Sequence, residues 1–219
     1  MITLNHVRVS FFYQKKREDV LTDITATFNP RAGMIGILGA RKSGKSTLLS
    51  VLGGIIHPDA GTLTCSGSTS WLMSSMRPLV HNMTVRANIR FIGMLYGVDV
   101  PILFHSVITL SGLQDVTEML LNELPRDIQA HLVYCICLCL KFDYYLADES
   151  FLIGDDKFRK NMTDYLTETS IERTIILASR SPSLIKKHCQ VAYVLHGGRL
   201  HYFGQASEAV RAFKTLNKN

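Results

Sequence analysis

The sequence predicts an α/β fold with a mainly parallel central sheet, and three observations predict it. Short apolar, β-branched segments alternate with helical segments, a pattern typical of a parallel sheet covered by helices. One such segment, MIGILG, leads directly into a glycine-rich loop and then into a helix. The middle of the chain is instead mostly helical, which indicates a lobe inserted into the α/β core.

The elements follow in order. ITLNHVRVSFFY alternates like a strand, QKKRED is typical of a charged turn, and VLTDITATFNP predicts a second strand. MIGILG predicts a buried strand and SGKSTLLSVLGGI a helix, followed by a strand pair in GTLTCSG and STSWLM. The region from about 82 to 140 is mostly helical. FDYYLADES and RTIILASRS then predict buried strands, and QVAYVLHGGRLHYFG predicts a hairpin that turns at two glycines.

Composition bounds the class of protein. With 219 residues, 47% of them apolar and 19% charged, the chain is long enough for one well-packed globular domain with an inserted lobe. The net charge of +6 suits an acidic partner such as phosphate or an anionic membrane surface. The longest basic run, Lys15-Lys16-Arg17, is typical of a solvated loop and too short to indicate a nucleic-acid surface.

Cysteine usage and the N-terminus favour a soluble cytoplasmic protein. Cys135, Cys137 and Cys139 lie in the apolar run LVYCICLCL, whose spacing is not a usual zinc spacing, so we expect buried small hydrophobic residues. Unpaired thiols fit a reducing compartment. The N-terminus lacks the apolar core of a signal peptide, and no apolar stretch approaches the ~20 residues of a membrane helix.

GARKSGKST is a complete phosphate-binding loop between a strand and a helix. Gly39 and Gly44 permit a tight backbone path on which successive N–H groups converge on phosphate oxygens, aided by the helix dipole. In this motif Lys45 reaches the β- and γ-phosphates and Ser46 ligates Mg²⁺. The alternative, a chance match in a glycine-containing turn, is disfavoured by the strand–loop–helix context. The predicted nucleotide-binding residues of the loop are Gly39, Ala40, Arg41, Lys42, Ser43, Gly44, Lys45, Ser46 and Thr47.

A second element delivers two carboxylates to the end of a predicted strand. In FDYYLADES the strand ends at Asp148 and Glu149, and ligands of doubly wound sheets bind at that edge. Asp148 is predicted to hold Mg²⁺ together with Ser46, and Glu149 to orient and polarise the attacking water. The alternative is an acidic pair that caps a strand or starts a helix.

These two motifs, with a mostly helical insert between them, resemble the ATPase of ATP-binding-cassette (ABC) transporters. Asp155, in FLIGDDKF, matches the family's dimer-contact aspartate in position, and GIIHPDAGTL resembles a segment that follows the family's loop. Within that family, LLSVLGGIIHPDAGTL, STSWLM, MTVRANIRFIGMLYG, LKFDYYLADE and IGDDKF are similar to the small cytoplasmic ATPases of capsular-polysaccharide exporters. These stretches span most of the chain from about residue 33 to 160.

The resemblance implies a P-loop NTPase fold in one domain, residues 1–219. Its parts are a RecA-like core, an N-terminal antiparallel β subdomain and an inserted α-helical lobe at about 75–140. Phe11 falls where the family stacks an aromatic ring on adenine; Tyr13 is a nearby competitor, and a plain strand-face aromatic is the alternative.

Three positions depart from the family's pattern. LLNELPRDIQAHL aligns with the signature segment but has neither the serine nor the glycine that contacts the partner's γ-phosphate. Its local chemistry still predicts a helix start, with Asn122 as N-cap, Pro125 in the first turn and Asp127 favouring the dipole. Arg126 is a possible charge-assisted replacement for the lost phosphate contact.

Arg180, in Ser179-Arg180-Ser181, replaces the switch histidine. It cannot relay a proton near neutral pH but can pair with a γ-phosphate, so we include it among the catalytic candidates beside the alternative of a surface arginine. No glutamine of the coupling loop occurs between Trp71 and Asn88.

The resemblance implies an ATP- and Mg²⁺-dependent subunit that exports capsular or other cell-surface polysaccharide. It would lie at the cytoplasmic face of the bacterial inner membrane, with an integral membrane permease and a second copy of itself as partners. Two alternatives stay open: a degenerate cassette that binds ATP but hydrolyses it poorly, with a regulatory or assembly role, and an unrelated P-loop enzyme such as a small-molecule kinase. The sequence does not encode which polysaccharide is exported.

Overall fold

A computed structural model of the chain describes residues 1–14, 16–148, 164–165 and 172–216. Within these residues the chain forms two compact units. The first comprises Met1–Leu72 with 142–148 and 172–216, and the second comprises Met73–Lys141 with 164–165.

The strands are β1 (Ile2–Tyr13), β2 (Lys16–Phe28), β3 (Gly33–Leu38), β4 (Ala60–Cys65), β5 (Thr69–Leu72), β6 (Tyr144–Asp148), β7 (Thr174–Ser179), β8 (Val191–His196) and β9 (Arg199–Phe203). The helices are α1 (Lys45–Leu52), α2 (Val85–Leu95), α3 (Val100–Ser111), α4 (Arg126–Cys139), α5 (Pro182–His188) and α6 (Ala206–Leu216). Short 3₁₀ turns at Gln114–Val116 and Leu121–Glu123 precede α4.

The first unit is built on one sheet, in which the described strands follow the order β4-β1-β2-β9-β8-β3-β7-β6-β5. Strands β8, β3, β7, β6 and β5 run parallel to one another, whereas β1 pairs antiparallel with β2 and β4, and β9 pairs antiparallel with β8. The predicted mixed α/β class, with an antiparallel N-terminal part beside a mainly parallel core, is therefore confirmed.

Two local predictions are wrong. We expected GTLTCSG and STSWLM to pair, but β4 pairs with β1 at one edge of the sheet and β5 pairs with β6 at the other. The charged turn is also shorter than expected, since β2 already begins at Lys16 and continues the ladder with β1. An ion pair between Arg17 Nε and Asp19 Oδ1, at 3.0 Å, allows these charged residues to lie side by side on the strand.

The core of the first unit lies between the sheet and its helices. Strands β3, β6 and β7 are buried along most of their length, as expected for parallel strands covered on both faces. Two buried tyrosines satisfy their hydroxyl groups on the backbone of β2: Tyr144 donates to Phe28 O at 3.2 Å, and Tyr193 donates to Thr27 O at 2.9 Å. These bonds attach the antiparallel strands to the parallel core.

The second unit contains α2, α3 and α4. Two side-chain caps begin its first helices: Thr84 accepts from Ala87 N at 3.1 Å and Asp99 accepts from Ile102 N at 2.9 Å. Asn88 is fully buried on α2 and binds the segment before its helix with both ends of its amide. Its Oδ1 accepts from Val80 N at 2.7 Å, and its Nδ2 donates to the carbonyls of Val80, Met83 and Thr84.

The cysteine-rich run forms α4. Cys135 and Cys137 are buried and Cys139 is half-buried, and burial raises the pKa of the Cys139 thiol to about 12. No group of three or more His, Cys, Asp or Glu side chains suited to a metal ion occurs in the described ranges. Among the same residues, no helix combines the length and the apolar character that a membrane crossing requires.

Candidate functional site

The glycine-rich loop follows the end of β3, which is an interior strand of the sheet. β3 ends at Leu38 and α1 begins at Lys45, so the loop comprises residues 39–44. Gly39 N donates to Ser179 O at 3.2 Å, which fixes the start of the loop to the last residue of β7. A second bond, from Ser43 N to Ala40 O at 3.2 Å, closes the loop on itself. Main-chain bonds therefore set its path.

Glycine is required at both ends of the loop. A Cβ on Gly39 would lie 2.5 Å from Ser43 Oγ and 2.9 Å from the backbone oxygen of Leu195, closer than real Cβ contacts. Gly44 has φ 97°, in the left-handed region, and packs against Val20 and Leu21 of β2. A side chain at either position would displace the backbone that has to approach phosphate.

Lys45 projects its ammonium group back over the loop. Its Nζ donates to Gly39 O at 2.8 Å, to Ala40 O at 2.6 Å and to Ser43 Oγ at 3.4 Å. The side chain is half-buried, so its charge lies close to the loop and is only partly exposed to solvent. This geometry concentrates one positive charge among the backbone groups that converge there.

The N-terminus of α1 is suited to an anion. Gly44 is its N-cap and offers no side-chain cap, so the first backbone N–H groups of the helix are not bonded to a capping side chain. Ser46 is exposed and Thr47 half-buried in this first turn. With Lys45 beside them, these groups form the cradle of donors that a triphosphate requires, and the Ser46 hydroxyl is an oxygen ligand of the kind that Mg²⁺ prefers. The residues present therefore fit both groups.

β6 places Asp148 at the same edge of the sheet as the loop. It is the last residue of β6 and pairs in register with Ala178 of β7, immediately before Ser179. Since Ser179 accepts the bond from Gly39, the ends of β3, β7 and β6 place the loop and this carboxylate at one edge. Glu149, the predicted catalytic base, and Asp155 lie outside the described residues.

Arg180 follows β7 at this edge and is exposed. Its neighbours on both sides are fixed: Ser179 is fully buried, and Ser181 N donates to Ser179 Oγ at 2.9 Å. Ser181 also caps α5, where it accepts from Leu184 N at 3.4 Å. The backbone of Arg180 is therefore held between β7 and α5, next to the residue that anchors the loop.

Ser179 is the site residue that the sequence analysis missed. We noted it only as part of the Ser179-Arg180-Ser181 segment, yet its carbonyl anchors Gly39 and its hydroxyl orients the turn. The available signal was its place at the end of an apolar strand, because neighbouring parallel strands end at one edge.

Phe11 lies near the end of the β1–β2 hairpin. It pairs with Glu18 and is 44% exposed, while Tyr13 pairs with Lys16 and is 69% exposed. Alternation along β1 places Phe11 and Tyr13 on one face of the ladder. Both rings are accessible, so the choice between them as the adenine-stacking residue stays a prediction.

In the second unit, α4 begins differently from our expectation. Pro125 occupies the N-cap position and Arg126 is the first helical residue, so the prediction that Asn122 caps this helix is wrong. Asn122 lies in the preceding 3₁₀ turn, where its Nδ2 donates to Asn82 Oδ1 at 3.2 Å. Asp127 is in the first turn of α4, as expected from its effect on the helix dipole.

Comparison with known proteins places the chain in a family. The chain is 32% identical over 218 residues to the ATP-binding protein BexA of Haemophilus influenzae, with 100% of each chain covered. It is 30% identical to the capsule polysaccharide export ATP-binding protein CtrD of Neisseria meningitidis, over 99% of this chain and 100% of that protein. The polysialic acid transport ATP-binding protein KpsT of Escherichia coli is 28% identical, over 98% and 99% respectively.

Solved structures agree on the fold. An ATP-binding subunit of an ABC transporter superposes with a TM-score of 0.83 at 18% identity, covering 98% of this chain and 93% of that one. A dimeric ATP-binding cassette in a post-hydrolysis state, bound to ADP and Pi, gives 0.79 at 14% identity, covering 91% and 96%. No protein-family model matches the chain. From its full-length relatives, the chain belongs to the family of ABC ATP-binding proteins of capsular-polysaccharide exporters.

Proposed function

We propose that this chain is the ATP-hydrolysing subunit of an ABC transporter that exports capsular or another cell-surface polysaccharide. The observation that carries the proposal is the edge formed by β3, β7 and β6, where Gly39 N is bonded to Ser179 O and Asp148 ends the next strand. The full-length similarity to CtrD and KpsT, named for capsule polysaccharide export and polysialic acid transport, supports the cargo class.

The loop binds the triphosphate in this proposal. Backbone N–H groups of residues 39–47 and the N-terminus of α1 donate to phosphate oxygens. Lys45 exchanges its bonds with the Gly39 and Ala40 carbonyls for bonds to the β- and γ-phosphates. Ser46 and Asp148 would hold Mg²⁺, which neutralises phosphate charge when bound. Phe11, or its neighbour Tyr13, stacks on adenine.

Hydrolysis requires a water positioned in line with the γ-phosphorus. Glu149 follows Asp148 directly in the sequence and takes this role. As the water oxygen forms its bond to phosphorus, the bond to the β-phosphate oxygen breaks, ADP leaves, and Glu149 accepts the proton of the water. Arg180, at the adjacent end of β7, stabilises the negative charge that develops on the γ-phosphoryl oxygens.

The working assembly contains more than one chain. We propose that two copies close head to tail on ATP, each phosphate loop facing the first turn of the partner's α4, and that closure drives an integral membrane permease. A dimeric cassette among the structural neighbours supports the first part. The complex would lie on the cytoplasmic face of the bacterial inner membrane. Both compact units would then belong to one cassette domain, 1–219, with the second unit as the lobe inserted at about 75–140.

ATP binding and steady-state hydrolysis of the wild type and of Glu149→Gln test the proposal, each alone and with the permease. We expect both proteins to bind ATP and the wild type to turn over at least about 100-fold faster. Glu172→Gln, which removes an exposed carboxylate elsewhere, is the matched control and should behave like the wild type. Equal, near-zero turnover with retained ATP binding would reject the hydrolysing subunit in favour of a cassette that only binds ATP.

A further inference from the structure

The phosphate loop carries two cations that no residue in the described part of the chain neutralises. Arg41 and Lys42 are exposed between the loop's two glycines. Neither side chain makes an ion pair or hydrogen bond with any residue that the structure describes. Lys45, in contrast, is held by the loop carbonyls. The two outer cations are therefore available to an external anion.

Lys42 adopts a backbone conformation that disfavours a side chain. Its φ is 63°, in the left-handed region that glycine occupies without strain. Lysine at such a position is costly for the fold, and strained residues of this kind cluster at functional sites. The observed outlier thus motivates a functional role for the Lys42 ammonium group.

The first turn of α4 also carries charged side chains that have no partner among the described residues. Arg126 and Asp127 are exposed, and in the described part of the chain neither side chain has a hydrogen-bond or ion-pair partner. The carboxylate of Glu123, one turn earlier, is bound to Leu120 N at 2.9 Å. Asp127 is therefore the carboxylate of this turn that remains available to a cation from outside the chain.

We propose that the partner which pairs with these charges is a second copy of this chain: Asp127 of one copy binds the Arg41–Lys42 pair on the phosphate loop of the other. The inference rests on the head-to-tail dimer of the proposed function, in which the loop faces the partner's α4. Charge complementarity selects this occupant, because the loop offers two free cations and the turn offers a free anion. In this arrangement Arg126 pairs with the γ-phosphate and therefore does not face the loop cations.

This pairing accounts for the charges of the loop and of the α4 turn together. In a contact made only through the nucleotide, a carboxylate at the turn would repel phosphate. With Arg41 and Lys42 opposite it, the same carboxylate gains two partners and adds a direct bond between the copies. A helix-dipole role alone would explain Asp127, but it would give the exposed side chains of Arg41 and Lys42 no partner.

A charge-reversal cycle tests the pairing in the full chain. The dimer dissociation constant is measured by sedimentation velocity for wild type, Lys42→Glu, Asp127→Lys and the double variant, with a non-hydrolysable ATP analogue at saturation. We expect each single variant to weaken the dimer about three- to tenfold, and the double variant to recover most of that loss. The effects should shrink as ionic strength rises, since the pair is at a surface.

Two controls match the charge changes elsewhere on the chain. Lys186→Glu on α5 and Asp115→Lys in the 3₁₀ turn reverse exposed charges and should leave dimerisation unchanged. If Lys42→Glu loses the nucleotide, the neutral cycle of Arg41→Gln with Asp127→Asn measures the same coupling. Coupled losses in that cycle support the pair.

The outcomes separate this inference from the proposed function. A wild type that binds the analogue and dimerises, while the two reversals are independent and the double variant loses affinity additively, overturns the ion pair alone. A wild type that does not bind the analogue overturns the proposed ATPase. A wild type that binds it and stays monomeric at any protein concentration overturns the head-to-tail dimer and the ion pair with it, and leaves nucleotide binding standing.

Discussion

The phosphate loop and the first turn of α4 are both starts of helices, but they are built in different ways. The loop is fixed by main-chain bonds and by close packing around Gly39 and Gly44, so few residues fit there. The turn before α4 has a proline as N-cap, no side-chain cap bond and exposed side chains at Arg126 and Asp127. A helix start of this kind tolerates substitution at its exposed positions. Packing around the backbone therefore restricts the residue types that fit in the phosphate loop, whereas the first turn of α4 leaves its exposed side chains open to change.

The largest effect should come from filling the space at Gly39. In Gly39→Ala the new Cβ meets Ser43 Oγ and Leu195 O, so the loop must move away from β7. Charge-assisted bonds to phosphate contribute about 1.5–3 kcal/mol each, so disturbing two of them weakens ATP binding by about 100-fold or more. A fluorescent ATP analogue measures this. Gly204→Ala, where a Cβ meets nothing within 4 Å, is the control; equal affinities for the two variants would contradict the packing argument.

Asn88→Ala tests the reverse arrangement, in which a side chain organises the backbone of the second unit. The substitution leaves Val80 N without its hydrogen-bond partner and removes the side-chain donor from three carbonyls that each keep a backbone donor, which should lower the free energy of unfolding by about 2–3 kcal/mol. Urea denaturation measures the loss. Asn122→Ala is the matched control, with one exposed bond, and should cost less than about 0.5 kcal/mol. Equal costs for Asn88→Ala and Asn122→Ala would contradict the role assigned to the buried amide of Asn88.

Arg180 should affect turnover by a smaller factor. Removing its charge in Arg180→Ala lowers kcat about tenfold, since one charge-assisted bond to the γ-phosphoryl group is lost. Arg180→His should keep more activity below pH ~6.5, where imidazole is charged, and lose it as the pH rises through that value. The ratio of variant to wild-type kcat between pH 5.5 and 8.5 checks this. Wild-type rates in both variants would identify Arg180 as a surface arginine; Arg211→Ala on α6 is the control.

The smallest expected effect is a gain in thermal stability. Lys42→Gly removes the side chain from a left-handed position and should raise Tm by about 2–4 °C, as a gain of about 1 kcal/mol does in a chain of this size. Differential scanning calorimetry measures it, with Lys186→Gly on α5, which should lower Tm, as the opposite control. An unchanged or lower Tm for Lys42→Gly would show that the lysine is not strained and would remove one support of the proposed ion pair.

Much of the fold follows from the sequence because its signals are local. MIGILG, RTIILASRS and QVAYVLHGG are continuous apolar runs between turn residues, and β3, β7 and β8 form there. Strand pairing is harder to predict from the sequence. β4 and β5 are neighbours in sequence, but they lie at opposite edges of the sheet. That choice depends on which distant strand offers a free edge, which no local pattern encodes.

The candidate site likewise contains features that could be predicted from the sequence and features that could not. The loop residues and Asp148 could be predicted, since their spacing reflects a fixed strand–loop–helix geometry. The identity of Ser179 did not indicate its anchoring role, because it acts through its carbonyl oxygen, which every residue type has; only its place at the end of β7 indicated it. The start of α4 was predicted to within a turn, but its cap was not, since a proline N-cap makes no side-chain bond that a sequence pattern could reveal.

The position of β3 also sets the order in which this protein can mature. All of β3, Gly33–Leu38, pairs with β7 at Thr174–Ser179, and Ile35–Leu38 also pairs with β8. The loop that follows β3 is thus completed by a strand that the ribosome makes much later. A nascent chain that has emerged only through α1 carries the whole GARKSGKST segment but has no carbonyl of Ser179 to receive Gly39. We therefore expect the loop to reach its final form, and to bind ATP tightly, only after β7 has been synthesised.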